Sequence, residues 1–241
     1  MSSKVLALAA LLAAAPAAAE SPRYGSFELA LGTYRPSIDS EFGSAAQKPF
    51  ETAFGGKRGL MFRGDVSKSL FVDYGTLEIG LGAGYYERYG HGQLPTGGAA
   101  SDSTAIRVIP TRLTATYRFD VLVQRWGIPF APYGRVSLER YNWWVTNGSG
   151  GTANTIAQPG SPSRSGSGAT NGYSFSGGLA FLLDFIDPGV ARDMDRDTGI
   201  NHTYIFVDVT KSYINDFGSA SSWNLSDDRN IAISGGLLFV F

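Results

Sequence analysis

Over much of its length the chain returns an apolar residue at every second position, which restricts it to strands with two chemically different faces. The clearest run sets Leu77, Ile79, Leu81, Ala83 and Tyr85 against Glu78, Gly80, Gly82, Gly84 and Tyr86. A helix would gather residues three and four apart and so mix the two sets. Other segments share the period. Phe27, Leu29 and Leu31 oppose Glu28, Ala30 and Gly32, and Leu60, Phe62, Gly64 and Val66 oppose Met61, Arg63 and Asp65. Leu113, Ala115, Tyr117 and Phe119 oppose Arg112, Thr114, Thr116 and Arg118. Just before them, Ile106 to Pro110 falls out of phase, and Pro110 is a candidate for a bulge.

The second half continues the pattern. Val136 and Leu138 oppose Arg135, Ser137 and Glu139, in a run that ends in Tyr141, Trp143 and Trp144. Tyr173, Phe175, Gly177, Leu179, Phe181 and Leu183 oppose Ser174, Ser176, Gly178, Ala180 and Asp184. Ile205, Val207 and Val209 oppose Tyr204, Phe206, Asp208 and Thr210. The final run sets Ile231, Ile233, Gly235, Leu237, Phe239 and Phe241 against Ala232, Ser234, Gly236, Leu238 and Val240. Eight runs are an even number and the smallest size typical of bacterial outer-membrane barrels, with both ends of the chain on one side.

The polar face decides what surrounds such a sheet. It carries Glu28, Asp65, Glu78, Glu139, Asp184 and Asp208 together with Arg63, Arg112, Arg118 and Arg135. As the core of a water-soluble β-sandwich or lipocalin-like barrel, these charges would cost several kcal/mol each if unpaired. They suit a polar interior in which they pair with one another, while the apolar face meets lipid. The fold expected is therefore a closed eight-stranded antiparallel transmembrane β-barrel, since an open edge would leave peptide groups unsatisfied in hydrocarbon. Aromatic residues near strand ends (Tyr85, Tyr89, Tyr117, Phe119, Trp143, Tyr173, Phe239 and Phe241) suit the two interfacial girdles.

The connections alternate in length. Those near 37–57, 89–105, 145–171 and 214–228 are long and rich in Gly, Ser, Asn and Thr, whereas those near 67–74 and 120–129 are short. Long outer loops and short inner turns are the barrel pattern. The exception, 185–201, lies on the inner side. Asp187-Pro188 opens a segment that reads as a short helix capping the inner mouth.

Residues 1–19 read as a signal peptide, with Lys4 ahead of an apolar stretch and Ala17-Ala18-Ala19 as a small-residue cleavage site. The barrel domain then occupies 20–241. Nowhere beyond the signal is there a run of roughly twenty apolar residues, the length a spanning helix needs. The absence of cysteine excludes disulfides, thiolate metal sites, a cysteine nucleophile and a cysteine-linked lipid anchor. A net charge of -1 gives no basic surface for nucleic acid.

The last strand, Ser234-Gly235-Gly236-Leu237-Leu238-Phe239-Val240-Phe241, places aromatics at the last and third-last positions. It resembles the C-terminal β-signal through which outer-membrane barrels engage their assembly machinery. Pro36-Ser37-Ile38-Asp39, the Gly82–Gly90 stretch GAGYYERYG, Phe130–Gly134 (FAPYG) and Leu183–Pro188 (LDFIDP) resemble a poorly characterised family of outer membrane β-barrel domain proteins of myxobacteria and relatives. The resemblance implies location in the cell outer membrane and supplies no catalytic residues.

Chemistry-bearing residues are sparse. His91 belongs to the second outer loop and His202 to the inner end of strand 7, so a shared metal or catalytic site is not expected. His91 with Glu87 and the serines of 101–103 imitates the rim site of a lipid-modifying enzyme only loosely. Glu28, Asp65, Glu78 and Glu139 could approach one another across a narrow lumen, but interleaved arginines make structural ion pairs the expected role. Asp39, Glu41 and Asp102 have no calcium-loop spacing. Gly80, Gly82 and Gly84 share the inward face, where missing side chains relieve crowding, and do not form a phosphate cradle. No catalytic, cofactor-binding or metal-binding residue is assigned.

The function expected is that of a non-enzymatic outer-membrane barrel with a structural or surface-interaction role carried by long outer loops. Its expected partners are outer-membrane lipid, lipopolysaccharide and the barrel-assembly machinery, and a monomer is expected. The alternative is a small channel or transporter for hydrophobic or small polar solutes, although barrels of this size are usually filled by their own side chains.

Overall fold

The computed structural model describes residues 21–42, 48–93, 98–154, 165–219, 221–229 and 231–241. The signal peptide expected at 1–19 and the 155–164 part of the third outer loop lie outside the described residues. Eight antiparallel strands close on themselves in sequence order. They are β1 (Gly25–Tyr34), β2 (Gly59–Phe71), β3 (Thr76–Gln93), β4 (Ala99–Arg118), β5 (Phe130–Thr146), β6 (Ser167–Leu182), β7 (His202–Tyr213) and β8 (Ala232–Val240). β1 closes the barrel against β8, with Phe27 opposite Phe239 and Leu29 opposite Leu237. The Phe241 carbonyl accepts from the backbone N–H groups of Tyr24 (2.6 Å) and Gly25 (2.9 Å). Both termini of the barrel thus share one end, and the longer loops share the other.

Two faces emerge as the alternation requires. Glu28, Asp65 and Glu78 are 4, 4 and 3 % exposed, whereas Leu81, Leu138 and Ile233 on the opposite face are 69, 59 and 59 % exposed. A water-soluble barrel has the reverse arrangement. The outer wall is a continuous aliphatic band, and at its terminal end it carries Phe27, Tyr117, Phe119, Phe130, Phe239 and Phe241.

Several local expectations change. The second outer connection is not a loop over 89–105: Tyr89 pairs with Ala105 and His91 with Ser103, so β3 and β4 continue as a polar ribbon beyond the apolar band. Neither face of this ribbon belongs to the apolar band, and Gly90 lies so close to the Ala53 backbone that a side chain would not fit, which is why the pattern fades there. The inner turn near 67–74 is also tighter, because β2 runs to Phe71 and β3 starts at Thr76. Among the described residues three helices occupy connections: α1 (Pro49–Phe54), α2 (Val121–Trp126) and α3 (Pro188–Thr198). α3 is the expected helix, and the Asp187 carboxylate caps it by accepting from Gly189 N (3.0 Å) and Val190 N (3.1 Å).

Pro110 carries no bulge. Thr111 pairs with Ala83, Val108 pairs with Tyr86, and both fit one register; on the other side Pro110 pairs with Tyr141. The ladder between β3 and β4 passes over Pro110, which has no N–H to donate, and resumes without slipping. The apparent change of phase has another cause. Ile106, Val108 and Pro110 point inward with Arg112, so apolar character moves from the outer to the inner face toward the loop end.

Candidate functional site: the barrel interior and its two ends

The barrel interior holds a belt of buried ions between apolar layers. Arg135 donates to Glu28 (Nη1 to Oε1, 3.0 Å) and to Thr116 Oγ1 (Nε, 2.9 Å). Arg112 holds Asp65 through two nitrogens, Nε at 2.7 Å and Nη2, and approaches Glu28 at 3.9 Å. One layer nearer the terminal end, Arg118 donates to both Glu78 oxygens at 3.3 Å, and Ser26 Oγ donates to Oε2 at 3.0 Å. Arg118 also lies 3.7 Å from Asp120, which accepts from Thr76 Oγ1 (2.6 Å) and faces Arg23 (3.5 Å). Two-point guanidinium–carboxylate contact is the geometry that offsets desolvation of both charges.

Other interior groups connect through hydroxyls. Arg63 donates to Ser234 Oγ (2.5 Å), whose proton goes to Asp208 Oδ1 (2.5 Å); Tyr133 also donates to Asp208 (3.4 Å). Glu139 accepts from Ser174. Glu28, Asp65, Glu78 and Asp208 are therefore engaged by arginines directly or through Ser234. The inward glycines make room for this packing. A Cβ on Gly82 would lie 2.0 Å from Asp65 Oδ1, and one on Gly80 would lie 2.2 Å from Ser67 Oγ.

Above the belt, the loop end is closed by an apolar plug that the alternation did not reveal. Tyr34, Met61, Tyr86, Ile106, Val108 and Tyr141 pack inside the wall. Phe50 and Phe54 of α1, Ile38 and Leu225 enter from the loops. Tyr34 meets Tyr86 edge-on (centroids 4.9 Å apart, 90°), and its hydroxyl donates to the Leu225 carbonyl (2.6 Å). Trp143 belongs here and not to the lipid-facing girdle. It shares the inward parity of Glu139 and Tyr141, and it stacks on Trp223 at 4.0 Å and 14°. Its appearance beside Trp144 at a strand end suggested the wrong face. A signal was present: Tyr34, Met61, Tyr86, Ile106 and Val108 all fall on the parity of the charged series.

The remaining interior space is small. A cavity of about 20 Å³ lies among Arg63, Glu139, Tyr141 and Asp227, room for about one water. A second apolar layer, with Tyr133, Leu182, Tyr204, Phe206, Leu238 and Val240, fills the terminal half. Near it, a cleft of about 490 Å³ opens between α2, α3 and the barrel rim, lined in part by Arg23, Asp184, Asp195, Asn201 and His202.

Asp184 is part of this rim and not of the lumen series. It sits in a 3-10 turn after β6, where it meets His202 Nδ1 (2.8 Å) and accepts from Thr203 N (3.1 Å), fixing the start of β7. His91 lies on the ribbon at the other end, so the histidines are not brought together. Glu87 is paired with Arg107 at 2.5 Å and stands four residues from His91 along β3, roughly 13 Å at strand rise. Asp39 is likewise committed: it accepts from Phe50 N (2.7 Å) and Glu51 N (3.1 Å) at the start of α1 and from Arg35 (3.0 Å). Glu41 ends the neighbouring 3-10 turn and Asp102 lies in β4. Among the described residues no group of three or more His, Asp or Glu side chains is placed to hold a metal ion.

No family model matches the chain, and no curated protein matches it. Similar solved structures include Neisserial surface protein A, at 13% identity and a TM-score of 0.47 over 91% of this chain and 97% of that one. The N-terminal β-barrel domain of Pseudomonas aeruginosa OprF is similar at 13% identity and a TM-score of 0.41, over 91% and 100%. Ail, the attachment invasion locus protein of Yersinia pestis, in complex with sucrose octasulfate, is similar at 8% identity and a TM-score of 0.34, over 90% and 99%. The chain's own geometry defines its fold: a small, closed, eight-stranded antiparallel barrel with an ion-paired interior and an apolar outer wall.

Proposed function

We propose that the protein is a non-enzymatic β-barrel of the Gram-negative outer membrane, exported through the signal at 1–19, with a structural or surface-interaction role borne by its loop end. The observation that carries this reading is the inverted wall, with buried carboxylate–guanidinium pairs inside and an exposed aliphatic band outside. Such a surface is stable against lipid and a liability in water. Closure leaves no strand edge to recruit a second copy, which supports a monomer. The partners are outer-membrane lipid, lipopolysaccharide and, through the strand ending at Phe241, the assembly machinery. Affinity to the myxobacterial barrel family rests on the sequence motifs alone and is part of the same proposal.

The loop end is built as a shaped surface. Arg58 bridges the first and last loops through Asp227 (2.5 Å) and Asp228, and Arg35 adds contacts to Asp39 and Glu51. Plug, belt and the small residual cavity weigh against conduction and so against the channel alternative. Cell fractionation tests the reading. The protein is expected in the outer-membrane fraction, with heat-modifiable migration that is lost when Phe241 is deleted. Recovery as a soluble periplasmic protein would overturn it.

A further inference from the structure

The outer wall is not uniform. Between β3 and β6 a groove of about 620 Å³ runs below the loop end, lined in part by Leu81, Thr111, Leu113, Leu138 and Phe217. A second depression of about 340 Å³ continues it toward the middle of the band, sharing Leu113 and Leu138 and reaching Val136 and Phe175. From Arg140 to Val136 the two cover about 13 Å along β5, roughly half of an apolar band about 25 Å tall.

A strained turn supplies one wall. Asp216 and Phe217 both have left-handed backbones (φ 52° and 57°), a conformation that aspartate tolerates and that is strained for a bulky residue such as Phe217. The turn sets the Phe217 ring beside Tyr173, centroids 6.4 Å apart and 22° from parallel, yet leaves it 68 % exposed. The upper mouth of the groove is cationic. Arg140 is exposed, donates to the amide oxygens of Asn171 (3.1 Å) and Asn142 (3.3 Å), and among the described residues has no carboxylate within 4.0 Å. Asp216 is held one step away by Asn171 Nδ2 (2.9 Å). Arg107, in the same outer band, is by contrast neutralised by Glu87.

We propose that this groove is a binding site for a phosphorylated, multiply acylated glycolipid of the outer leaflet, the lipid A part of lipopolysaccharide. A phosphate pairs with Arg140 and one acyl chain lies over Leu113 and Leu138 beneath Phe217. The site rests on the reading of this wall as lipid-facing. Charge complementarity selects the occupant: an anionic headgroup meets an arginine that has only neutral partners, at the loop end where outer-leaflet headgroups lie. Acyl packing supplies area, and the guanidinium supplies register.

Native mass spectrometry of the full barrel in detergent tests the site, with lipid A and phosphatidylglycerol as probes. The wild type is expected to keep a one-to-one lipid A adduct. Arg140→Gln and the groove-filling Thr111→Phe are each expected to weaken it about tenfold or more, while Arg140→Lys retains most of it. Equal adducts in all four proteins, or phosphatidylglycerol held as tightly as lipid A, would overturn the proposal. Heat-modifiable migration of the same samples separates the two levels. Folded barrels with unaltered adducts refute the groove alone, whereas a wild type without a heat-modifiable form refutes the membrane-barrel reading beneath it.

Discussion

Arg135 and Glu28 stand 107 positions apart in the chain and meet inside the barrel through two parallel hydrogen bonds, one of them 3.0 Å long. Both are almost wholly buried, Arg112 approaches the same carboxylate, and Thr116 Oγ1 accepts from Arg135 Nε. Neither charge has water to fall back on. Glu28→Ala is therefore expected to cost about 3–5 kcal/mol, because it leaves a buried guanidinium uncompensated. The double variant Glu28→Leu with Arg135→Met is expected to recover most of the loss. Reversible urea unfolding in lipid vesicles measures both, and a single variant as stable as the wild type would refute the pairing.

Gly82 leaves the space that Asp65 fills. Because a Cβ there would lie 2.0 Å from Asp65 Oδ1 and 3.0 Å from Arg112 Cγ, Gly82→Val must displace the ion pair. The expected penalty is about 1–3 kcal/mol or more. Outward Gly177, with nothing within 4 Å of its Cβ position, is expected to accept valine with little effect. Comparing the midpoints of heat-modifiable migration distinguishes the two positions.

The plug and the belt obstruct the lumen independently. Single-channel recordings in planar bilayers are expected to be silent for the wild type at all voltages. They should stay silent for Tyr34→Ala, which removes the ring against Tyr86 but leaves the pairs of Arg112, Arg118 and Arg135 in place. Discrete conductance steps from the wild type would restore the channel reading.

The loop end has its own pH dependence. The Glu51 carboxyl is held below its ordinary value of 4.5, chiefly by the hydrogen bond and charge of Lys48, against an opposing effect of burial and with a lesser contribution from Arg35. A lowered folded value means that the contribution is present above pH 4.5 and fades as pH falls through that lower value. Carboxyl NMR of Glu51 is expected to show this midpoint, and Lys48→Ala is expected to raise it. An unchanged midpoint in Lys48→Ala would contradict the assignment.

The barrel was legible in the sequence wherever one face met lipid and the other met ions. Leu77–Tyr85 and Ile205–Val209 place their residues as their alternation implies. Legibility failed where apolar side chains moved to the inner face and where the strands ran on beyond the apolar band. Ile106 and Val108 turned inward into the plug and imitated a slipped register, and Trp143 imitated a girdle residue for the same reason. The ribbon beyond Tyr89 left the apolar band, with Gly90 against the Ala53 backbone, and looked like a loop. The ion pairs were legible as a set but not as partners, since which arginine meets which acid depends on the stagger of strands far apart in sequence. α1 and the Phe217 turn are tertiary features: the first is capped by Asp39 across a loop, and the second is held by Asn171 on another strand.

Spin-label scanning tests the inverted wall most directly. The chain has no cysteine, so single cysteines introduced along β4 and β5 carry unique nitroxides. In lipid vesicles, labels at Ala115, Leu113, Val136 and Leu138 should be accessible to oxygen from the bilayer. Labels at Thr114, Thr116 and Ser137 should be shielded from both oxygen and water-soluble nickel chelate. The expected result is oxygen accessibility with a period of two, in phase with the aliphatic residues. The opposite phase, or no period, would contradict a barrel with its ions inside and its aliphatic wall in lipid.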